Sequence, residues 1–96
     1  MEIVLKLGEK NFEKIKEILL KDDVVSRASI TFKEGKVLGE EGFYCVISGL
    51  DEQCKRALEL TKNIAEEVKD EKKDKIIKKI KEEEERANEG FGFIFG

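Results

Sequence analysis

The pattern of apolar and polar residues predicts three β-strands in the first half of the chain. Every second residue of Glu2–Leu7 is aliphatic, which is typical of a strand with one face on a core. Residues 26–32 alternate in the same way and predict a second strand with one solvated face. Phe43–Ser48 is apolar on both faces, so we expect a central strand that is covered on each side or uses one face for association.

The connection between the second and third strands is rich in glycine. Residues 33–36 (KEGK) predict a turn in which Gly35 is able to take a positive backbone φ. Residues 37–42 (VLGEEG) allow two interpretations. They extend the returning strand through a bulge, or they form a glycine-hinged loop.

Helical spacing of apolar residues predicts two further elements. The first begins after Asn11, a predicted N-cap, and ends near residues 21–23. Its apolar stripe consists of Phe12, Ile15, Ile18 and Leu19. The second begins at Asp51, which we expect to act as its cap. Its longer stripe consists of Cys54, Ala57, Leu58, Thr61, Ile64, Ala65 and Val68.

The pattern after this stripe leaves the length of the second helix open. Residues 69–75 contain no apolar side chain, and a thinner stripe of Ile76, Ile77, Ile80 and Ala87 then precedes Gly90, a predicted stop. One helix over residues 51–88 would be about 57 Å long. A compact chain of this size has a radius of gyration of only about 12 Å. The helix must therefore break near residues 70–74 or project as an arm.

The last seven residues, GFGFIFG, hold three of the six phenylalanines. In an extended strand Phe91, Phe93 and Phe95 share one face, while Ile94 and the glycines share the other. Burial of three phenylalanines is worth roughly 5–9 kcal/mol, which is comparable with the stability of a small domain. We therefore predict that this tail is the last strand of a sheet, either in its own domain or in a neighbouring copy.

The order of these elements resembles the ferredoxin-like superfold in pattern. We predict an α+β fold with the order βαββα(α)β, an antiparallel sheet, helices on one face and the C-terminal tail as last strand. A chain of 96 residues supports one core, so residues 1–96 are expected to form a single domain.

Charge is abundant and nearly balanced, with 19 Lys and Arg against 22 Asp and Glu and a net charge of -3. The chain lacks His, Pro and Trp and is rich in Lys, Glu and Ile, a bias typical of proteins from thermophiles. The acidic balance gives no long-range attraction for nucleic acid or anionic membranes. No apolar run reaches 18 residues, and the first ten residues lack a signal-peptide core, so we expect a cytoplasmic protein without a membrane contact.

The side chains used in common catalytic and metal sites are scarce. The sequence has no histidine to act as a base near neutral pH and no phosphate-binding glycine loop followed by Lys and Ser or Thr. Cys45 and Cys54 lack C-x-x-C spacing, and we expect both to be reduced core thiols. The prediction is a non-enzymatic protein without a cofactor or a metal.

Residues 42–58 begin with Gly42 and the aromatic Phe43, and the tail contains Phe91 and Phe93 two residues apart. These two stretches resemble the RNA recognition motif family, with Gly42 and Phe43 at its glycine and first aromatic positions and with Phe91 and Phe93 at both aromatic positions. Acidic residues replace the expected cation in both stretches, which disfavours nucleic acid as a partner. As an alternative function, the resemblance implies a nucleic-acid site formed by Phe43, Lys72, Lys73, Lys75, Lys78, Lys79, Phe91 and Phe93.

The preferred prediction is association of the chain with itself or with another protein. The glutamates at 82–85 lie near the predicted helix end, where the macrodipole disfavours negative charge, and an antiparallel copy would bring lysines 72–81 against them. We therefore predict a homo-oligomer built through the C-terminal helix and strand. Its candidate interface, or core, residues are Ile76, Ile77, Ile80, Phe91, Phe93, Ile94 and Phe95.

A third alternative is a small-ligand-binding regulatory domain that uses the loops at 39–42 (GEEG) and 48–50 (SGL).

Overall fold

The computed structural model describes the backbone of residues 1–95 and the side chains of residues 1–83. Seven helices and strands follow one another: β1 Glu2–Leu7, α1 Phe12–Lys21, β2 Ser29–Glu34, β3 Phe43–Ser48, α2 Asp51–Thr61, β4 Ala65–Val68 and α3 Asp70–Phe95. Short 3-10 turns lie at Glu9–Asn11, Val25–Arg27 and Gly35–Leu38. The α+β class and the antiparallel sheet are confirmed.

The four strands form one antiparallel sheet in the order β2-β3-β1-β4. The two inner strands, β1 and β3, pair along their whole length from Glu2 opposite Ser48 to Leu7 opposite Phe43. β2 pairs with the other side of β3, and β4 pairs with the other side of β1. The predicted bounds of β1 and β3 are confirmed, whereas β2 begins at Ser29.

One face of the sheet packs against α1 and α2. Ile15 and Leu19 of α1 and Cys54 and Ala57 of α2 are fully buried there. The sheet contributes Ile3, Leu5, Leu7, Cys45 and Ile47 to this cluster. The ring of Phe12 stacks on Phe43 with centroids 4.4 Å apart and meets the ring of Phe32 edge-on at 5.6 Å. These contacts form the larger of the two described clusters.

The opposite face of the sheet packs against α3 and the 3-10 turn at Gly35–Leu38. The buried residues of this second cluster are Val4, Leu38, Tyr44, Val46, Val68, Ile76 and Ile80. The prediction that the helices lie on one face of the sheet is therefore wrong. Val4, Tyr44 and Val46 place largely apolar side chains on the face away from α1 and α2, and they need α3 to remove them from water. The prediction that β3 is central and covered on both sides is confirmed.

The C-terminal half of the chain differs most from the prediction. α2 ends at Thr61, and Ala65–Val68 forms β4 instead of continuing that helix. Residues 51–88 therefore contain two helices with a strand between them. α3 continues through Phe95, so Gly90 does not end it and the tail is not the last strand. Glycine favours a helix end but does not force one, at a cost of about 1 kcal/mol inside a helix.

Three glycines shape the loop between β2 and β3. The N–H of Gly35 donates to the carbonyl oxygen of Gly42 at 2.6 Å. A Cβ on Gly35 would lie 2.7–2.8 Å from three backbone carbonyl oxygens, so the close approach requires glycine. Gly35 does not use the positive φ that glycine allows; Gly39 and Gly42 adopt it, each at 74°.

The end of α1 is tied to α2 through Asp22. Its Oδ1 accepts hydrogen bonds from the N–H groups of Val24 and Val25, each at 3.0 Å. Its Oδ2 accepts one from Nε of Arg56 at 3.2 Å. The Val25 N–H and the Arg56 guanidinium hold the pKa of the Asp22 carboxyl below its usual value, although burial acts in the opposite direction.

We expect Gly35→Ala to destabilise the protein because the added methyl group must displace the backbone of residues 40–42. The expected loss is about 1–3 kcal/mol or more in the free energy of unfolding, measured by urea denaturation. Gly8→Ala is the control, since a Cβ there meets no atom within 4 Å. Equal effects of the two substitutions would contradict the close packing at Gly35.

We expect Asp22→Asn to reduce the pH dependence of stability. Because the folded-state pKa of Asp22 is lowered, its contribution is present above the unfolded pKa of about 3.9 and is lost as the pH falls through the folded pKa. The urea midpoint of the wild type should therefore fall more than that of the variant between neutral pH and about pH 2. Asp23→Asn, at the exposed neighbouring carboxyl, is the control. The same acid-induced loss in wild type and Asp22→Asn would disprove this role.

Candidate interaction surface

α3 crosses the sheet from one edge to the other. It begins two residues after β4, with Asp70 in the left-handed region at φ 59°, a conformation that Asp tolerates better than most residues. Ile76 and Ile80 then pack against the central strands. At the far edge, Oε1 of Glu83 lies 3.6 Å from Nζ of Lys33 on β2. Twelve of the residues of α3 follow Glu83, so the helix reaches the β2 edge well before its last residue.

Polar contacts along one flank of α3 attach it to the β2–β3 connection. Nζ of Lys79 donates a hydrogen bond to the carbonyl oxygen of Leu38 at 2.6 Å. Nζ of Lys75 lies 4.0 Å from Oε1 of Glu40. Ion pairs that retain contact with water contribute at most about 1 kcal/mol each. The buried apolar cluster therefore supplies most of the attachment, and the polar contacts fix the position of the helix along the sheet.

Within the described part of the chain, the outer side of β2 has unpaired backbone groups. Gly35 lies opposite Gly42 in the register of the β2–β3 ladder and is hydrogen-bonded to it. Hydrogen-bonded and non-hydrogen-bonded pairs alternate along an antiparallel ladder, so the N–H and C=O groups of Thr31 and Lys33 also point toward β3. The N–H and C=O groups of Ile30 and Phe32 then point away from the sheet. No backbone or side-chain group in the described part of the chain bonds to them. β2 is therefore an open sheet edge.

The two edges of the sheet differ in length and charge. β4 has four residues, and its two central residues are Glu66 and Glu67. β2 has six residues, and its centre, Ile30 to Phe32, carries no charge. Short, charged edges resist pairing with another strand, whereas longer uncharged ones favour it. The β2 edge is thus the better candidate for contact with another chain.

A groove lies between α3 and the β2 side of the sheet. Its volume is about 230 Å³. Its lining includes Ser29, Thr31, Val46, Ser48, Ile77 and Ile80. Short side chains at Ser29, Thr31 and Ser48 leave this space under the helix. The groove adjoins the open edge of β2 and contributes partly apolar surface to the same region.

A row of polar residues crosses the sheet beneath α3. Lys33, Tyr44, Lys6 and Glu66 are direct neighbours on successive strands. Tyr44 is fully buried, and its hydroxyl has no hydrogen-bond partner among the described residues. Oε2 of Glu83 is also buried without one. An unsatisfied buried polar group costs about 1–3 kcal/mol, so this row is a local source of instability under the helix.

The structure separates the predicted interface residues into two groups. Ile76 and Ile80 are buried against the sheet of their own chain, and Ile77 is half-buried beside the groove. The side chains of Phe91, Phe93, Ile94 and Phe95 lie outside the described residues. Glutamates 82–85 are in the middle of α3, so the macrodipole gives no reason for an antiparallel copy of this helix.

The predicted nucleic-acid residues are also divided. Phe43 stacks on Phe12 on the α1 and α2 side, whereas α3 with its lysines lies on the other side of the sheet. Lys75 and Lys79 contact the β2–β3 connection, Lys73 is half-buried, and Lys72 and Lys78 are exposed. Phe91 and Phe93 again lie outside the described side chains. The described candidates do not form one stacking surface flanked by cations.

The remaining sequence candidates do not form a reactive centre. Cys45 and Cys54 are free and buried, as predicted. Burial raises the pKa of both thiols, that of Cys45 to about 12. Among the described residues, no cluster of three or more acidic or cysteine side chains has the geometry to hold a metal ion. The loops at 39–42 and 48–50 lie at opposite ends of β3 and do not share a site.

Sequence reasoning did not identify the β2 edge or Tyr44. The uncharged centre of SITFKE is a weak signal for the edge, but strand order is needed to show that it is outermost. Tyr44 is recognisable only as a hydroxyl in a strand that is apolar on both faces.

Comparison of the chain with protein-family models, with curated proteins and with solved structures found no match. Within residues 1–95, no helix is both long and apolar enough to cross a membrane. Function must therefore be inferred from the geometry of the chain itself.

We expect Tyr44→Phe to leave the free energy of unfolding unchanged or to raise it by up to about 1–3 kcal/mol, because it removes a buried hydroxyl without a partner. Thr61→Val is the matched comparison, since the hydroxyl of Thr61 donates to the carbonyl oxygen of Ala57 at 2.7 Å. This second substitution should cost about 0.5–1.5 kcal/mol in a urea titration. A larger loss for Tyr44→Phe would show that the hydroxyl is paired.

Proposed function

We propose that this protein is a non-enzymatic association domain that forms a homo-oligomer through the C-terminal part of α3 and the neighbouring β2 edge. The observation that carries the proposal is the path of α3. The helix reaches the edge of its own sheet at Glu83, and twelve of its residues, four of them large and apolar, still follow.

The half of α3 that packs on the sheet already accounts for the attachment of the helix. Ile76 and Ile80 are buried with Val4 and Val46, and Lys79 is bonded to the β2–β3 connection. The buried apolar residues on the α3 side of the sheet are therefore covered by the part of α3 that precedes Glu83. The apolar residues of the tail, Phe91, Phe93, Ile94 and Phe95, favour a role in contact with another chain. Three phenylalanines leaving water are worth roughly 5–9 kcal/mol, enough to drive association.

Two features support a non-enzymatic role in a reducing compartment. The chain has no histidine, and the raised pKa of its two buried thiols keeps them from acting as nucleophiles. Free buried thiols are typical of cytoplasmic proteins, and we assign the protein to that compartment.

We also infer a ferredoxin-like arrangement for residues 2–68. The elements before α3 follow the order βαββαβ. α1 joins β1 to β2 with β3 between them in the sheet, and α2 joins β3 to β4 with β1 between them. Both helices pack on the same face. These features support the split βαβ pattern of that superfold, to which α3 adds a third layer.

The test replaces Phe91, Phe93, Ile94 and Phe95 together by serine and measures the mass in solution by light scattering during gel filtration. The wild type should exceed the monomer mass of 11.0 kDa in a concentration-dependent manner, and the variant should shift toward it. Circular dichroism should show a retained fold, because Ile76 and Ile80 are unchanged.

The control replaces Val37 and Leu50, two apolar residues exposed elsewhere on the surface, by serine. This double variant should keep the mass of the wild type. A wild-type chain that is monomeric at every concentration tested would refute homo-oligomerisation.

A further inference from the structure

We infer that the oligomer is built on a two-fold symmetric dimer in which the β2 strands of two copies pair antiparallel, with Thr31 of each copy at the symmetry axis. The two four-stranded sheets then form one continuous sheet. The inference rests on the proposed function, since it names the contact through which the copies associate.

The backbone of β2 supplies self-complementary hydrogen-bonding groups. Ile30 and Phe32 both turn their N–H and C=O groups outward. With Thr31 on the axis, Ile30 of one copy lies opposite Phe32 of the other. Each such pair exchanges two hydrogen bonds, and the symmetry produces the pair twice. The unpaired groups at the centre of the edge are thereby satisfied.

The side chains also fit this register. Antiparallel pairing keeps each residue on its own face, so Ile30 and Phe32 meet on the side of α1 and α2. On the α3 side, Thr31 meets Thr31 and Ser29 meets Lys33. No like charges are opposed. A register centred on Phe32 would instead place Ile30 opposite the charged Glu34, which disfavours it.

The other edge of the sheet does not suit a second copy. β4 is two residues shorter than β2, and the carboxylates of Glu66 and Glu67 occupy its centre. A symmetric β4 pair would bring these carboxylates close to their copies, which is destabilising. The charge pattern therefore selects β2 for self-pairing.

The surroundings of β2 leave space for the contact. Ser29 and Thr31 line the groove beside α3, and Ser29 and Glu34 at the two ends of the strand are exposed. α3 reaches the same edge at the Lys33–Glu83 ion pair, so the part of the helix proposed to associate begins where the second sheet would begin. The β2 edge and the start of the C-terminal part of α3 therefore lie in one region of the surface.

Disulfide trapping tests the register. Thr31 faces its copy in a non-hydrogen-bonded pair, where the Cβ atoms lie about 4.5–5.5 Å apart, and a disulfide spans Cα separations of about 4.4–6.8 Å. Thr31→Cys should therefore shift in mild oxidant from the monomer to the dimer band on a non-reducing gel. Cys45 and Cys54 are buried, so the wild type should remain in the monomer band.

Ser29→Cys is the matched control on the same strand and face. In the inferred register its copies are four residues apart along the strand, about 13 Å, which is too far for a disulfide. The double variant Ser29→Cys with Lys33→Cys should be trapped again, because these positions lie opposite each other across the dimer.

The possible outcomes separate the inference from the proposed function. A dimer by light scattering in which Ser29→Cys is trapped and Thr31→Cys is not would overturn the register. A dimer in which neither variant is trapped would overturn β2 pairing in the inferred register and leave association through α3 standing. A monomer at every concentration would overturn both.

Discussion

Pairing between β1 and β3 is the interaction on which the rest of the structure depends. The two strands are hydrogen-bonded over six residues each and are flanked on both sides by other strands. Their side chains are buried on both faces, Leu5 and Cys45 on one and Val4 and Val46 on the other. An inner pair that is apolar on both faces must be covered twice, so α1 and α2 alone cannot complete the fold. α3 is required as the second cover.

Much of the fold could be predicted because its information is local. Alternation gives the bounds of β1, a continuous apolar run gives those of β3, and helical spacing gives α1. The predictions fail where a helical and a strand-like spacing of apolar residues overlap, or where a contact distant in sequence determines the structure. Ala65 and Val68 match a helical stripe, yet they belong to β4, a short strand whose glutamates hide the alternation. Val4 is one residue in an otherwise regular pattern, and only the position of α3 explains it.

The candidate surface was predictable in part. Periodicity identified Ile76 and Ile80 as apolar positions of a helix, but it does not tell whether they pack on their own sheet or on another chain. The structure assigns them to their own sheet. The open edge of β2 depends on strand order, which is a property of long-range pairing and has no signature in SITFKE alone. The need for glycine at position 35 could not be predicted from the local sequence either, because it comes from three backbone carbonyl oxygens later in the chain.

The unequal edges of the sheet also bear on how far assembly can proceed. A sheet with two pairing edges would recruit chains at both ends and grow into an open-ended fibre. Here the acidic, four-residue β4 disfavours strand addition on one side. In the proposed dimer, pairing through β2 would use up that edge when two copies meet, so growth would stop after a single step. In that dimer the short acidic strand β4 would leave no edge suited to further strand addition and so would oppose polymerisation.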